Sequence, residues 1–146
     1  MKSCFMFGHA DCPDCMLPKI EEAIETCYSK HGVTDFYVGN RGRFDALAAV
    51  AAKHVKKRHS DMRLYLLLAY HPAERMVDLT DGFDNSFYPP LEEVPRRYAI
   101  VRANKYMVNT VNSIICYVSH IGNTRNLLEY AKKKEGIIIE NIAQNT

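Results

Sequence analysis

The residue types best suited to chemistry stand directly after apolar runs of the chain, in segments that contain glycine. The longest of these segments is Gly39-Asn40-Arg41-Gly42-Arg43-Phe44-Asp45. Glycine lets a backbone approach a bound group closely, and a helix after such a loop presents unpaired N–H groups to an anion. Arg41 and Arg43 would add positive charge. The segment therefore predicts a phosphate-binding loop, with a tight turn as the alternative. A side chain at Gly42 is expected to block the phosphate and leave the fold intact.

Two more segments of this kind follow other apolar runs. Gly8-His9 ends the first run, and His120-Ile121-Gly122-Asn123-Thr124 follows a later one. The glycine of the second segment, with the two residues after it, predicts a second anion cradle at the start of a helix. Both histidines stand at the same position relative to the preceding run, so we expect them near one cleft. A single loop histidine more often has a structural role.

Two carboxylates lie close to these loops. Asp45 falls in the first turn of a predicted helix, where its side chain can cap backbone N–H groups or accept a hydrogen bond from a ribose hydroxyl. Glu129 lies further into the helix that opens at Gly122. Either carboxylate could activate a water molecule within hydrogen-bond reach. In the simpler interpretation Asp45 is a cap and Glu129 is a surface residue.

Basic side chains mark another predicted helix, at positions Arg96, Arg97, Arg102 and Lys105. Arg102 and Lys105 share a helix face, and Asn104 lies beside them. An arginine can bind two phosphate oxygens at once, so this face could close over a ligand. Loss of Arg102 is then expected to weaken binding by about 1.5 to 3 kcal/mol. The alternative is a solvated basic face.

Cys12-Pro13-Asp14-Cys15 follows the first apolar run and precedes a helix. Thioredoxin-like and glutaredoxin-like proteins keep a reactive pair at such a place, and a helix N-terminus there would lower the pKa of Cys12. Zinc is a second interpretation, with His9, Cys12 and Cys15 as three ligands and a fourth from elsewhere. Two unreactive thiols are the third. Because nothing places a cis-proline loop opposite Cys12, we expect no disulfide reductase activity.

Alternating strands and helices position these residues. Apolar runs and helical spacing predict strands at 3–7, 35–38, 64–70, 113–118 and 137–139, and helices from Pro13 to His31 and over 44–55, 97–111 and 123–134. Residues 71–95 predict a long ordered loop of the kind that forms lids or binding sites. This order predicts the α/β class, as a Rossmann-like three-layer sandwich with a mostly parallel five-stranded sheet. Such sheets bind ligands beyond the carboxyl ends of their strands.

Composition limits the class of protein. The 146 residues are expected to form one domain, 1–146, and the net charge of +2 is too balanced for a protein that coats nucleic acid. No run approaches the roughly 18 apolar residues of a membrane span, and no signal peptide is recognisable, so we expect a cytoplasmic protein. The five cysteines are then expected to be reduced. We predict no metal, no cofactor and no membrane partner.

Four segments in this order resemble the SLOG superfamily, the Rossmann-like domains of the Smf/DprA and Lonely Guy type. They are Phe7-Gly8-His9; Phe36-Tyr37-Val38-Gly39-Asn40 with Gly42 and Phe44-Asp45; Arg102-Ala103-Asn104-Lys105-Tyr106-Met107; and Tyr117-Val118-Ser119-His120. The likeness covers nearly the whole chain. It is greatest to small stand-alone bacterial members with a Gly-Asn-Gly-x-Phe-Asp loop.

The resemblance implies a nucleotide-binding cleft. Its residues would be Gly39, Asn40, Gly42, Phe44 and Asp45, with Arg102, Asn104 and Lys105 across from them. Lonely Guy enzymes hydrolyse the N-glycosidic bond of nucleotides, and other relatives bind DNA or nucleotide-derived signals. The enzyme pattern Pro-Gly-Gly-x-Gly-Thr-x-x-Glu is reduced here to Gly122-Asn123-Thr124 and a displaced Glu129, so slow or absent release of free base is expected. A homodimer is compatible with this superfamily.

Three functions follow from these observations. The first is binding of a nucleotide or a nucleotide-derived ligand, with its phosphates on the Gly39 and Gly122 loops. The second is hydrolysis of a nucleotide's N-glycosidic bond, with Glu129 or Asp45 activating water. The third is a thiol oxidoreductase that uses Cys12 and Cys15.

Overall fold

A computed structural model describes residues 2–75, 77–91 and 93–145. Within them the chain forms six strands and four α-helices. The strands are β1 (Lys2–Gly8), β2 (Val33–Val38), β3 (Arg63–Leu67), β4 (Asn85–Phe87), β5 (Ser113–Tyr117) and β6 (Ile138–Asn141). The helices are α1 (Leu17–His31), α2 (Arg43–Lys56), α3 (Ala99–Thr110) and α4 (Asn123–Lys132). No helix in the described part of the chain has the length and apolar character that crossing a membrane requires.

All the strands pair in parallel in one sheet, with the order β4-β3-β2-β1-β5-β6. This confirms the predicted α/β class and Rossmann-like arrangement, but the expected number of five strands was wrong. The additional strand, β4, lies within the segment predicted as a loop, 71–95. It has only three residues, two of them polar, so no apolar run marks it. Its hydrogen bonds to the β3 segment define it, among them Leu68 N–H to the Phe87 carbonyl at 2.8 Å.

Strand β3 ends at Leu67, earlier than the predicted residue 70. Its two neighbours set this limit. Val38, the last residue of β2, pairs with Leu66, and Phe87, the last residue of β4, pairs with Leu67. Beyond these pairs no strand remains to bond with β3, and the apolar chain continues as a buried loop.

Strand β1 lies inside the sheet and illustrates how both faces are covered. Cys4 and Met6 belong to the core formed with α1 and α2, whereas Phe5 and Phe7 belong to the core formed with α3 and α4. All four side chains are buried. A strand with helices on both faces has no polar face, which explains its continuous apolar run. The helices form the two outer layers of the predicted sandwich.

The order of the strands reverses direction beside β1. The chain first adds β2, β3 and β4 on one side of β1, and β5 then pairs with the other side. In open parallel sheets, the loops on the two sides of such a point diverge and leave a crevice. The loops after β1, β2 and β5 all reach this edge and carry the three glycine-containing segments.

Helix α1 begins later than the sequence predicts. A 3₁₀ turn at Asp14–Met16 precedes it, and the α-helix starts at Leu17. Its end is where the sequence places it, because Gly32 adopts a left-handed conformation with φ of +69°. The N–H of Gly32 donates to the Tyr28 carbonyl at 3.2 Å, which closes the last turn.

Candidate functional site

A cavity of about 600 Å³ opens at the crevice beside β1, between α3 and α4. Phe5, Phe7 and Leu67 of the sheet contribute apolar walls, and α3 adds Ile100 and Ala103. Polar and charged side chains line other parts. Cavities of roughly 300 to 1,000 Å³ that combine apolar walls with a few polar groups are typical of small-molecule sites.

The cavity brings together part of the predicted site. The predicted residues that line it are Gly8, Gly39, Arg41, Asp45, Asn104, Lys105, Asn123, Thr124 and Glu129. The predicted residues outside the lining are His9, Asn40, Gly42, Phe44, Arg102, His120 and Gly122. Of this second group, Asn40, Arg102 and His120 are exposed to solvent. The contacts of the others explain their positions.

The loop after β1 closes the N-terminus of α2. Arg43 N–H donates to the Ala10 carbonyl at 3.0 Å, and Phe44 N–H donates to the His9 carbonyl at 3.4 Å. A Cβ atom at Gly42 would lie 2.7 Å from the Ala10 Cα. The expectation that this helix offers open N–H groups to a phosphate was therefore wrong. The same distance argues against the expectation that a side chain at Gly42 would leave the fold intact, because another loop packs on this position.

Gly8 and Phe44 form a packing contact beneath the cavity. Phe44 is fully buried in the core shared with α1 and α2. A Cβ atom at Gly8 would lie 2.5 Å from the Phe44 Cγ, so glycine is needed for the ring to fit. Phe44 thus supports the cavity wall from behind, and its ring is placed away from a ligand.

Asp45 closes the loop that precedes α2. Its Oδ2 accepts a hydrogen bond from the Arg41 N–H at 2.9 Å, which corresponds to the capping interpretation. Burial raises the pKa of Asp45 to about 6, although the Arg41 N–H bond and the Arg41 charge oppose this shift. Because Asp45 also lines the cavity, the site holds a carboxyl group that can gain or lose a proton near neutral pH.

The N-terminus of α4, in contrast, is open. Gly122 precedes it with φ of +153°, and no side chain caps the helix. The first N–H with a partner is that of Asn126, which donates to the Gly122 carbonyl at 3.1 Å. Among the described residues, none accepts from the N–H groups of Asn123, Thr124 or Arg125. Asn123 and Thr124 line the cavity, so the open N–H groups of this helix end adjoin it at the place where the sequence predicts an anion cradle.

Two lysines bring positive charge to the cavity beside this helix end. Lys105 of α3 and Lys133, which follows α4, both line it. The Nζ atom of Lys105 lies 5.0 Å from the centre of the Tyr130 ring. Arg102 is exposed and outside the lining, as in the alternative of a solvated basic face. Lys105 is therefore the basic residue of α3 that lines the cavity.

Three polar residues of the cavity wall were not predicted from the sequence. Asn126, Tyr130 and Lys133 line it from the α4 segment. They are spaced four and three residues apart, so they fall on one helix face. That spacing, together with the predicted cradle at Gly122, was a signal that could have identified them.

His9 is a structural link between two loops. It is buried, and its Nε2 accepts the N–H groups of Ser119 at 2.9 Å and His120 at 3.2 Å. Burial lowers the pKa of His9, and the charge of His120 lowers it further. A neutral ring that accepts at Nε2 carries its proton on Nδ1. His9 thereby attaches the end of β1 to the loop after β5.

His120 stacks on His9 with 3.5 Å between the ring centres, and its Nε2 lies 3.3 Å from an Asp11 oxygen. The described residues that could hold a metal ion are these three, His9, Asp11 and His120. Their arrangement does not suit one, because the neutral His9 ring has a single acceptor nitrogen and two N–H groups already occupy it. Neither Cys12 nor Cys15 belongs to this group, so the zinc interpretation lacks its clustered ligands within the described residues.

The cysteine pair does not have the surroundings of a reactive thiol pair. Cys12 is buried and Cys15 is exposed, and both are free. Burial raises the pKa of Cys12 to about 11, and Cys15, Asp11 and Asp14 raise it as well. The expectation of a lowered pKa was wrong, because Cys12 precedes the 3₁₀ turn and α1 starts only at Leu17. Burial and the raised pKa therefore favour the interpretation of Cys12 as an unreactive thiol.

The cavity can accommodate a flat or apolar group against its aromatic floor and an anionic group at the α4 N-terminus. Its lining contains three basic residues, Lys105, Lys133 and Arg41, and two carboxylates, Asp45 and Glu129. No family model matches the chain, and no curated protein matches its sequence.

Proposed function

We propose that this protein binds a nucleotide or a nucleotide-derived ligand in the cavity between α3 and α4, with a phosphate at the N-terminus of α4. The observation that carries the proposal is the set of N–H groups at Asn123, Thr124 and Arg125 without acceptors in the described chain, next to a cavity. Such a helix end attracts anions through its dipole and its N–H groups. Lys105 and Lys133 add charge that a phosphate can neutralise.

The remainder of the cavity suits the rest of a nucleotide. Phe5, Phe7 and Leu67 give it apolar walls, and Asn104 and Asn126 add side-chain amides that can donate and accept hydrogen bonds. A base needs a hydrophobic wall together with a few polar partners, and this lining offers both. The resemblance to the SLOG superfamily supports the same assignment, since its members bind nucleotides or their derivatives.

A second candidate function is hydrolysis of the N-glycosidic bond, and the position of Asp45 favours it. A carboxyl group with a pKa raised to about 6 can accept a proton from water close to neutral pH. Glu129 is less suited, because it is exposed and its Oε1 lies 3.4 Å from the Lys132 Nζ. Hydrolysis would appear in chromatography as free base from a nucleoside monophosphate, and Asp45→Asn would abolish it. Glu129→Gln would leave it intact.

Calorimetric titration with the four common ribonucleoside monophosphates and their nucleosides tests the binding proposal. We expect at least one monophosphate to bind more tightly than its nucleoside by about 1.5 to 3 kcal/mol, because a phosphate at the cradle accepts charge-assisted hydrogen bonds. Lys133→Gln should remove most of this difference. Arg102→Gln is the matched control and should leave it unchanged. Equal affinities for nucleotide and nucleoside, or equal losses in both variants, would contradict the proposal.

A further inference from the structure

Three arginines converge on the ring of Tyr70, and one of them, Arg41, lines the cavity. The guanidinium carbons of Arg41, Arg75 and Arg96 lie 5.3, 4.6 and 4.8 Å from the ring centre. The three residues are far apart in the sequence and come from the loop after β2, the segment after β3 and the turn before α3. Only the fold brings them together, which is why no sequence motif marks them.

The backbone around this cluster is ordered by hydrogen bonds. A turn places Arg75, whose N–H donates to the His71 carbonyl at 3.1 Å. Arg96 lies in the 3₁₀ turn Arg96–Tyr98, in which Tyr98 N–H donates to the Pro95 carbonyl at 2.9 Å. Arg41 follows β2, in the loop that Asp45 closes. The convergence of the three side chains thus has a defined backbone framework.

The described residues around the cluster neutralise only part of its positive charge. Its one ion pair within the described chain joins Arg96 to Glu74 at 3.2 Å, and both side chains are more than half exposed, so this pair contributes little. Attraction to the face of Tyr70 offsets part of the repulsion among the guanidinium groups. Planar guanidinium groups on one site are the arrangement that binds phosphate oxygens in pairs.

Arg41 connects this cluster with the cavity, because it belongs to both. We infer that the cluster formed by Tyr70, Arg41, Arg75 and Arg96 is a second anion site of the cavity, which binds a second phosphate of the ligand. The ligand class is then a nucleotide with more than one phosphate, either a nucleoside polyphosphate or a dinucleotide. This inference rests on the proposed function, whose phosphate cradle at α4 would hold the first phosphate.

The experiment uses a probe that does not depend on the base. Inorganic tripolyphosphate is titrated into the wild-type protein and into Arg75→Gln, Arg96→Gln and Arg97→Gln, alongside inorganic monophosphate. Arg97 is the matched control, because it neighbours Arg96 in sequence but places its guanidinium over Tyr98, at 4.9 Å. We expect tripolyphosphate affinity to fall at least about tenfold in the first two variants and to stay within about twofold in the third. Circular dichroism confirms that each variant is folded.

Adenosine monophosphate, adenosine triphosphate and NAD then distinguish the sources of the second phosphate. If the wild-type protein prefers the triphosphate to the monophosphate and Arg75→Gln abolishes this preference, the ligand is a nucleoside polyphosphate. If the same result is obtained for NAD, the ligand is a dinucleotide. Equal affinities of Arg75→Gln, Arg96→Gln and Arg97→Gln for tripolyphosphate would overturn the inference, whereas the proposed function would stand if monophosphate binding still required Lys133. Loss of tripolyphosphate binding in the two cluster variants, without binding of any nucleotide, would retain the anion site and refute the nucleotide proposal.

Discussion

The N-termini of α2 and α4 lie at the same edge of the sheet and look alike in sequence, but only one of them is open. Each helix follows a parallel strand and begins after a glycine, Gly42 or Gly122. The two glycines have similar backbone conformations, with φ of 165° and 153°. At α2 the loop after β1 supplies two acceptor carbonyls, whereas at α4 no described residue supplies one.

The difference shows that a glycine before a helix can serve two purposes. A Cβ atom at Gly42 would meet Ala10 at 2.7 Å, whereas a Cβ atom at Gly122 would meet nothing within 4 Å. Gly42 therefore permits two protein segments to pack, and Gly122 leaves space in front of a helix end. Which purpose applies depends on the neighbouring loop, and that neighbour is not encoded within the motif itself.

Substitution of His9 should have the largest effect on stability, because His9 links the N-termini of α2 and α4. Its carbonyl accepts the Phe44 N–H of α2, and its imidazole accepts two N–H groups of the loop before α4. We expect His9→Ala to lower the free energy of unfolding by about 2 to 4 kcal/mol, because it leaves the N–H groups of Ser119 and His120 without an acceptor. Urea denaturation measures this value. His120→Ala is the control and should cost less than about 1 kcal/mol, since its side chain is exposed. Equal costs would show that His9 is not the link.

Substitution of Gly42 and Gly122, the glycines before α2 and α4, should have the next largest effect on the free energy of unfolding. Gly42→Ala should lower the free energy of unfolding by about 1 to 3 kcal/mol, because the new methyl group collides with the Ala10 backbone. Gly122→Ala should cost only about 1 kcal/mol, from its positive φ. Denaturant titration of both variants gives the comparison. A larger loss for Gly122→Ala would mean that the packing difference between the two helix ends is wrong.

Substitution of Asp45, in the first turn of α2, should change the free energy of unfolding by a smaller amount that depends on pH. Its folded-state pKa of about 6 exceeds the ordinary 3.8, so its ionisation destabilises the folded state as pH rises through this interval. Asp45→Asn keeps an acceptor for the Arg41 N–H and removes the charge, so it should raise stability at pH 7 by about 1 to 2 kcal/mol. The gain should shrink as pH falls from 6 to 4. Urea midpoints at pH 4.5 and pH 7 measure it, and a gain independent of pH would refute the raised pKa.

The smallest expected effect concerns the rates at which the two thiols are alkylated. These rates report on the loop that closes α2. Cys12 lies in this loop, buried and with a raised pKa, whereas Cys15 is exposed. We expect an alkylating agent at pH 7.5 to modify Cys15 first, so Cys15→Ser removes the fast phase and Cys12→Ser leaves it unchanged. Mass spectrometry of the modified peptides measures both. Fast modification of Cys12 in the native protein would mean that the loop opens readily.

The fold was largely predictable from the sequence, because its signals are local. The burial of Cys4, Phe5, Met6 and Phe7 on both faces of the sheet follows from one continuous apolar run, and Gly32 marks the end of α1. Strand β4 could not be predicted, since its three residues carry no pattern and pair only because β3 lies beside them.

The site was predictable only in part, because contacts between loops decide it. Asn123, Thr124 and Lys105, which the sequence marked as candidate ligand-binding residues, do line the cavity. The closure of α2 by Ala10 depends on a contact between distant loops, and so does the arginine cluster around Tyr70. The raised pKa of Cys12 depends on burial, which a thiol spacing does not determine.

The pairing of β1 with β5 has a consequence for the order in which the molecule can be completed during synthesis. Cys4 pairs with Ser113, so β1 emerges from the ribosome roughly 5 to 20 s before its partner, at typical translation rates. During that interval β2 and β3 can assemble on one side of β1, while its other edge and the faces of Phe5 and Phe7 remain uncovered. The walls that α3 and α4 give to the cavity come from the later part of the chain. The cavity is therefore complete only when nearly the whole chain has been synthesised, long after β1 has emerged.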